Sequence, residues 1–182
     1  MMRFIPTPLA GAYIVEPEAF SDNRGWFMRV YCKNEFAAIG HTKEWVQMNH
    51  SFNNTRGTIR GLHFQPPPYE EIKLVRCIAG AVFDVIVDLR KDSPTLLQSY
   101  GVELSAANRK MIYIPGGFAH GFQVLKDNSE LLYLHSGFYT PGAEGGMRYD
   151  DPVLDIKWPL PVSVISDRDA QHSLLTENFK GI

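Results

Sequence analysis

Short β-branched and aromatic runs, separated by glycine, proline and polar residues, recur along the whole chain and limit the folds open to it. Runs of this length with turn signals between them are typical of a β-sandwich or barrel. Helical periodicity is brief: Asn34–Gly40 predicts a short helix with Asn34 as N-cap and Gly40 as its stop, and Ser105–Arg109 predicts a further turn. The predicted fold is therefore mainly β with a few short helices. The strand-like runs are Ala12–Val15, Gly25–Tyr31, Ile72–Ile78, Ala81–Asp88, Ser99–Leu104, Met111–Ile114, Gly121–Val124 and Leu131–Tyr139.

The chain length fits one domain, and the charge balance excludes some partners. The 182 residues are 45% apolar, and 15 glycines and 12 prolines are dispersed rather than gathered into a linker. We therefore expect a single domain over residues 1–182. The 18 basic and 20 acidic side chains give a net charge of −2, which argues against a general nucleic-acid binder. No apolar run reaches the roughly 18 residues that a membrane span requires.

Cysteine usage and the N-terminal residues favour a reducing compartment. Cys32 and Cys77 are too few for a disulfide scaffold and lack metal-ligand spacing. The first residues, MMRFIPTPLAGAY, contain one charge and an early proline, which does not fit a secretory signal. We expect a cytoplasmic protein.

Two strands carry a polar side chain on an otherwise apolar face. Lys73 shares a strand face with Val75 and Cys77, and Tyr133 shares one with Leu131 and His135. A barrel of about eight strands can hold one small ligand inside. Lys73 and Tyr133 are therefore candidates for the inside of such a barrel, although a snorkelling lysine and a core tyrosine would give the same pattern.

The densest polar segment is Thr58–Gln65, with the sequence TIRGLHFQ. Arg60 and His63 are an odd number of residues apart, so a regular strand would place them on opposite faces. A β-bulge at Gly61 would turn both side chains toward one cavity. The alternative is a surface arginine and a hydrogen-bonded histidine beside a strand end.

A second segment, IPGGFAHGF, places His120 soon after a tight turn. The two segments approach the paired motifs that supply metal ligands in cupin barrels. His63, Glu70 and His120 would fit such a site, but Gln65 stands where a second histidine belongs. A glutamine amide is a poor ligand for divalent transition metals. We expect no metal site.

The triplet Asp167-Arg168-Asp169 near the C-terminus has a simple explanation as a solvated turn. Taken with a histidine, a lysine and a tyrosine, however, it completes the set of groups needed to abstract a proton beside a carbonyl.

The order of these and other motifs resembles the dTDP-4-dehydrorhamnose 3,5-epimerase family of cofactor-independent cupins. The resemblance extends from about Phe20 to about Asp169, and it implies a cupin fold, the double-stranded β-helix or jelly-roll barrel. Its landmarks are Asp22–Gly25, Gln47–Asn49, Arg60–Gln65, Lys73–Arg76, Asp84–Arg90, Ser93–Thr95, Pro115–Phe122, Asp151-Pro152, Trp158-Pro159 and Ser166–Asp169.

The resemblance also assigns catalytic roles. It implies that His63 is the base, that Asp169 is its carboxylate partner, that Lys73 stabilises an enolate and that Tyr133 is the opposing acid. No cofactor is implied. The substrate implied is a nucleotide-diphosphate 4-keto-6-deoxyhexose, whose C3 and C5 both adjoin the C4 ketone.

Substrate binding is implied for a further set of residues, among which several depart from the family pattern. Arg29 stands where the family usually has a glutamate, Glu71 replaces a glutamine, and Leu134 replaces a lysine. Phe138 replaces the first of a usual tyrosine pair and could stack on the base. The implied contacts are Arg24, Arg29, Gln47, Asn49, Arg60, His120, Phe138, Glu144 and Arg168.

The expected activity is epimerisation at C3 and C5 within a rhamnose-type pathway for surface polysaccharide. A single-centre epimerase, or one that uses a different nucleotide sugar, is the alternative, because Arg29, Glu71 and Leu134 depart from the family. A metal-dependent cupin enzyme and a non-catalytic sugar-binding cupin are less favoured. The resemblance further implies a homodimer in which an N-terminal segment reaches into the partner's site.

Overall fold

The computed structural model describes residues 1–176 and 178–182. Its helices are α1 (Lys33–Ala37) and α2 (Asp167–Ala170). No helix in this part of the chain has the length and apolar character needed to cross a bilayer. The strands are β1 (Met2–Pro6), β2 (Tyr13–Pro17), β3 (Ala19–Asp22), β4 (Gly25–Met28), β5 (Gln47–Asn53), β6 (Ile59–Phe64), β7 (Lys73–Ala79), β8 (Ala81–Asp88), β9 (Ser99–Ser105), β10 (Met111–Ile114), β11 (Phe118–Val124), β12 (Ser129–His135) and β13 (Gly145–Gly146).

Two antiparallel sheets form the body of the molecule. One has the strand order β1-β2-β10-β7-β12-β5, and the other has the order β13-β6-β11-β8-β9. Strands β3 and β4 form a separate hairpin. The predicted mainly β fold with short helices is confirmed, and it is a cupin-type jelly-roll barrel.

The core lies between the two sheets. Val75, Ile112 and Leu131 from the six-stranded sheet pack with Ile86 and Phe122 from the five-stranded sheet, and all five are almost fully buried. Burial of each such side chain stabilises the fold by roughly 1.5–3 kcal/mol. The polar cavity described below occupies the same interior, so its residues are held by a rigid frame.

The outer faces of both sheets are also covered. Phe36 of α1 packs with Val15 and Tyr113 over the six-stranded sheet. The C-terminal segment covers the five-stranded sheet, where Ile182 packs against a cluster that includes Leu62. Strands buried on both faces read as continuous apolar runs, which explains why β8 and β10 stand out in the sequence.

The first predicted helix begins and ends earlier than expected. Cys32, rather than Asn34, is the N-cap of α1, and its side chain makes no capping hydrogen bond. The helix ends at Ala37, and the chain turns at Gly40, which has a φ of +81° and so serves as the predicted stop. Asn34 lies inside the first turn because the backbone of Cys32 already accepts the first helical hydrogen bond.

The second predicted helical turn, Ser105–Arg109, does not form a helix. Ser105 ends β9, and a single hydrogen bond from Arg109 N to Ser105 O closes a turn. The side-chain oxygen of Asn108 accepts from Ser105 N and competes with helical pairing. Arg109 then adopts a φ of +58°, which a continuing helix does not allow.

Strand boundaries also differ from the predicted runs. The run Gly25–Tyr31 is a strand only to Met28, and the run Leu131–Tyr139 is a strand only to His135. Strand β5 was not predicted, because its inward residues are polar and break the apolar alternation.

The bulge predicted at Gly61 is confirmed. His63 pairs with His120, whereas Arg60 pairs with Phe122, so β6 has one more residue than β11 in this interval. Gly61 has a φ of +101°, and a Cβ atom there would lie 2.6 Å from the carbonyl oxygen of His120. Only glycine fits this close approach of the two strands.

Candidate active site

A cavity of about 290 Å³ opens between the two sheets at one end of the barrel. Strand β6 and strand β11 form one wall, and β5, β7 and β12 form the other. Its size is near the lower end of the range for small-molecule sites. Eight of the predicted site residues line it, namely Gln47, Asn49, Arg60, His63, Lys73, His120, Tyr133 and Glu144.

His63 and Asp169 form an imidazole–carboxylate pair at the edge of this cavity. His63 Nε2 lies 2.7 Å from Asp169 Oδ1, and the backbone N–H of Gly61 donates to Oδ2 at 3.0 Å. Ser166 caps α2 by accepting from the backbone N–H of Asp169 and so fixes the position of the carboxylate.

Asp169 stays ionised. Burial alone would raise its pKa, but the hydrogen bonds from His63 and Gly61, with the charge of Arg168, lower the pKa to about 2. A carboxylate accepts only, so the neutral His63 ring carries its proton on Nε2 and keeps its lone pair on Nδ1. That lone pair can act as a base.

The guanidinium of Arg168 lies beside this pair. Its Nη1 donates to Glu144 Oε2 at 2.8 Å, and its Nη2 is 3.1 Å from His63 Nε2. Because His63 donates its Nε2 proton to Asp169, the second contact is a close approach of a positive charge rather than a hydrogen bond. Arg168 is more than half exposed and can therefore turn toward an anion.

Tyr133 stands on the opposite wall. Its hydroxyl lies 2.9 Å from Ser51 Oγ, and its ring meets that of His120 edge to face at 6.3 Å. Burial strongly raises the pKa of Tyr133, so its hydroxyl keeps its proton. Tyr133 can therefore donate a proton but is poorly suited to be a base.

Lys73 begins β7 with its side chain only 11% exposed, on the same wall as Tyr133. The predicted strand faces are confirmed, since Lys73 and Tyr133 both point into the barrel interior. Lys73 Nζ lies 3.3 Å from Glu71 Oε1, and that carboxylate is also bound by His135.

His120 is paired with a second buried carboxylate. His120 Nε2 lies 2.9 Å from Asp84 Oδ2, and Asp84 is fully buried. Burial raises the pKa of Asp84, since the nearby His120 and Lys73 offset the desolvation only in part. Asp84 was not predicted as a site residue, although it shares the inward face of β8 with the core residues Val82 and Ile86.

Four predicted binding residues lie outside the cavity lining. Phe138 is 69% exposed just beyond β12, and Arg168 reaches the site through Glu144. Arg24 binds Asp22 within the β3–β4 hairpin, and Arg29 pairs with Glu35 in a separate small pocket. In this chain neither Arg24 nor Arg29 lines its own cavity.

Nine other lining residues were not predicted as site residues, among them Ser51, His135 and Tyr139. These three residues line the cavity beside residues that were predicted. The signal for Ser51 was alternation, because it shares a β5 face with Gln47 and Asn49. For Tyr139, which follows the last strand of the wall, alternation gives no signal.

The cluster of potential metal ligands differs from the set considered in the sequence. Among the described residues, ligand atoms of His63, Asp169 and His172 lie within 4.8 Å of one another. Glu70 is exposed and does not line the cavity, so it does not join His63 and His120 there. The first two members of the observed cluster are already bound to each other.

Comparison with known proteins gives a consistent result. The sequence model of the dTDP-4-dehydrorhamnose 3,5-epimerase family matches residues 6–177. A dTDP-4-dehydrorhamnose 3,5-epimerase of Shigella flexneri is 46% identical over 169 residues, which cover 92% of this chain and 93% of that protein. The chain belongs to this epimerase family. It is therefore an isomerase.

Two further relatives show that the family includes both 3,5-epimerases and a 3-epimerase. A crystal structure of a dTDP-6-deoxy-D-glucose-3,5-epimerase from Legionella pneumophila, in complex with dTDP-4-keto-L-rhamnose, is 40% identical with a TM-score of 0.90. The match covers 96% of this chain and 93% of that one. A dTDP-4-dehydrorhamnose 3-epimerase of Streptomyces niveus is 41% identical and covers 97% of this chain and 85% of that protein.

Proposed function

We propose that this epimerase converts dTDP-4-dehydro-6-deoxy-D-glucose into dTDP-4-dehydro-L-rhamnose by inverting C3 and C5. The observation that supports this most directly is a base and an acid on opposite walls of one cavity, His63 on β6 and Tyr133 on β12. Inversion requires removal of a proton from one face of the sugar ring and delivery of another to the opposite face. The C4 ketone acidifies both neighbouring carbons, so one set of groups serves both centres.

In the proposed reaction, His63 Nδ1 takes the proton from C3 or C5, and the electrons of the broken C–H bond form an enolate. The ammonium of Lys73 stabilises the negative charge that develops on the C4 oxygen. Tyr133 then donates its hydroxyl proton to the opposite face, and the C4 carbonyl re-forms. The phenolate regains a proton from water, and His63 releases the abstracted proton to the hydroxide that remains, which restores both groups for the second centre. No redox cofactor is needed, because no net oxidation occurs.

The rate enhancements that single catalytic groups provide indicate that several groups must act together. A positioned general base contributes roughly 10²–10⁴-fold, and a preorganised donor at an oxyanion contributes about 10²–10³-fold. A minimal enzymatic acceleration of about 10⁶-fold corresponds to about 8 kcal/mol, so neither group suffices alone. The ionised Asp169 supports the base by stabilising the imidazolium that forms on His63.

The remaining polar groups fit a diphosphate and a sugar. Arg60 and Arg168 present guanidinium groups at the cavity, and guanidinium recognises phosphate oxygens through paired donors. Gln47, Asn49 and His120 line the cavity and offer hydrogen-bonding groups to sugar oxygens, and Glu144 holds Arg168. The exposed ring of Phe138 is available to stack on the nucleotide base.

The proposal includes a homodimer in which Arg24 and Arg29 serve the partner's site. Both lie on or beside the β3–β4 hairpin, away from the cavity of their own chain. The hairpin carries three large exposed side chains, Phe20, Trp26 and Phe27. Phe20 and Phe27 are paired across the hairpin and share one face, and an exposed apolar pair of this size is typical of protein–protein contacts. We further propose a cytoplasmic role in a rhamnose pathway for surface polysaccharide.

Deuterium incorporation tests the function and separates it from the alternative. The protein is incubated with dTDP-4-dehydro-6-deoxy-D-glucose in heavy water, and deuterium is measured at C3 and C5. Label at both positions and a rhamnose-configured product are expected. Label and inversion at C3 alone would favour a single-centre enzyme like the relative from Streptomyces niveus. Turnover of a different nucleotide sugar, with none of this one, would contradict the substrate assignment.

A further inference from the structure

A continuous chain of hydrogen bonds runs along the wall formed by β5, β7 and β12. It begins at the backbone N–H of Tyr139, which donates to Gln47 Oε1 at 3.2 Å. Gln47 Nε2 donates to Asn49 Oδ1 at 3.1 Å, and Asn49 Nδ2 lies 3.3 Å from His135 Nε2. The first half of the chain thus consists of two amides that the proposed function places against the substrate.

The second half of the chain ends at the lysine that the proposed function places at the C4 oxygen. His135 Nδ1 lies 2.8 Å from Glu71 Oε2, and the other oxygen of the same carboxylate lies 3.3 Å from Lys73 Nζ. The side chains of Glu71 and His135 are each only 10% exposed, and that of Lys73 is 11% exposed. Because these side chains are buried, the loss of one hydrogen-bond partner would leave another buried polar group unsatisfied, which costs free energy.

The direction of every link follows from the two ends. The Tyr139 N–H can only donate, so Gln47 turns its oxygen to it and its NH₂ to Asn49. Asn49 in turn donates from its NH₂ to His135 Nε2. The neutral His135 ring therefore carries its proton on Nδ1 and donates it to Glu71.

A carboxylate is required at position 71 because both ends of the chain are donors. The ammonium of Lys73 also only donates, and each amide or neutral imidazole passes the direction on unchanged. One link must therefore accept from both sides, which Glu71 does. In this chain, where His135 donates from one side and Lys73 from the other, the glutamine that the family usually has here would leave two donors facing each other. Burial acts to raise the pKa of Glu71, but the hydrogen bond from His135 and the charge of Lys73 lower it overall.

We propose that Glu71 and His135 are positioning residues, which fix the ammonium of Lys73 at the developing oxyanion and couple its position to the substrate-binding amides of Gln47 and Asn49. This inference rests on the proposed function, because it assigns Lys73 to the enolate. Neither Glu71 nor His135 needs to exchange a proton with the substrate. Their effect is on the geometry of the transition state.

Steady-state kinetics on two matched pairs of variants test the proposal. Glu71→Gln keeps the side-chain size and removes the second acceptor, whereas Glu71→Asp keeps the carboxylate. His135→Gln can accept from Asn49 and donate to Glu71 as histidine does, whereas His135→Leu can do neither. We expect E71Q and H135L to lower kcat by about 10- to 100-fold, part of the effect of one lost oxyanion donor, with KM changed less than about threefold. E71D and H135Q should recover most of the rate.

A double variant distinguishes positioning from general stabilisation. If His135 acts through Glu71, E71Q/H135L should have nearly the kcat of E71Q alone. The proposal would be overturned if the losses in kcat of the two single variants multiplied in the double variant. It would also be overturned if the variants kept the wild-type kcat and showed only a lower melting temperature. Binding of dTDP, measured by calorimetry, should be the same for all variants and confirms that each has folded.

One measurement is independent of turnover. Nitrogen NMR on the ¹⁵N-histidine protein reports the tautomer of each ring, and His135 should carry its proton on Nδ1 in the wild type. In E71Q this tautomer should be lost or mixed. A wild-type His135 protonated on Nε2 alone would overturn the chain whatever the substrate is. Wild-type inactivity on the dTDP sugar, with the Nδ1 tautomer intact, would instead contradict the proposed function.

Discussion

His63 and His120 lie directly opposite each other on β6 and β11, and each ring binds a different buried carboxylate. The two pairs are not equivalent. Hydrogen bonds from His63 and Gly61 outweigh burial and lower the pKa of Asp169 to about 2, whereas complete burial raises the pKa of Asp84. An imidazolium is better stabilised beside the firmly ionised carboxylate, which favours His63 as the base.

Replacement of the base should abolish exchange at both sugar carbons. His63→Ala is expected to lower kcat by about 10³-fold or more, within the range for a general base. Deuterium wash-in at C3 and C5 is the measurement. Lys157→Ala, which removes an exposed lysine paired with Asp155 outside the cavity lining, is the control. Normal exchange in H63A would contradict the assignment of the base.

Replacement of the acid should separate exchange from inversion. In Tyr133→Phe, His63 can still remove a proton and return a deuteron to the same face, but nothing on the opposite wall completes the inversion. We expect product formation to fall by about 10²–10⁴-fold while wash-in falls much less. Proton NMR of the recovered sugar in heavy water measures both. Equal losses of exchange and inversion would argue against Tyr133 as the opposing acid.

A carboxylate remote from the site should make stability depend on acid pH. Burial would raise the pKa of Asp88, but hydrogen bonds from Arg90, Ser93 and Thr95 lower it from 3.8 to about 2. The charged form is thus favoured in the folded state, so this contribution is present above about pH 4 and is lost as pH falls through about 2.

The shift corresponds to about 2 kcal/mol of unfolding free energy. Asp88→Asn should therefore lower stability by at least this amount at pH 7 and by less at pH 2, as measured by urea unfolding. Asp155→Asn, at an exposed surface pair with Lys157, should change little at either pH. An equal loss for D88N at both pH values would show that the ion pair is not the cause.

Complementation between inactive variants tests the dimer. If Arg24 completes the partner's site, then Arg24→Ala and His63→Ala should each be inactive alone. After unfolding and refolding together, half the dimers are mixed and one site in each is intact, so about a quarter of the wild-type activity should return. No recovery, with a dimer shown by light scattering, would place Arg24 in its own chain's site or in none.

A chelator should leave the rate unchanged. Asp169 already accepts hydrogen bonds from His63 and the Gly61 backbone, and His63 is needed as a free base. Extended dialysis against EDTA followed by the epimerase assay is the measurement. Loss of activity that added metal restores would favour the metal-dependent cupin reading instead.

Much of the fold was predictable because its strands follow simple alternation. Lys73 and Tyr133 could be placed inside the barrel from the apolar residues around them, and Gly61 indicated the bulge that turns Arg60 and His63 to one side. Strand β5 was missed because a strand that lines a polar cavity loses the apolar alternation. The helix at Asn34 was misplaced by two residues at its cap, since backbone pairing at Cys32 outweighed side-chain preference.

The long-range pairings could not be read from spacing. The Glu71–His135 contact joins residues 64 positions apart, and the Asp84–His120 contact joins residues 36 positions apart. Only the strand order, with β7 beside β12 and β8 beside β11, brings them together. The family resemblance supplied roles for single residues but no partner for His135.

The missing side chain at Gly61 has a consequence for engineering. The backbones of β6 and β11 are in contact at this point. Even the methyl group of an alanine at position 61 would therefore push the two strands apart and move His63 away from Asp169. Residue 61 contributes only its backbone N–H, which donates to Asp169, so a search guided by side-chain contacts with a ligand would pass over it. Attempts to broaden the specificity of this enzyme should leave that position alone and vary the mouth of the barrel.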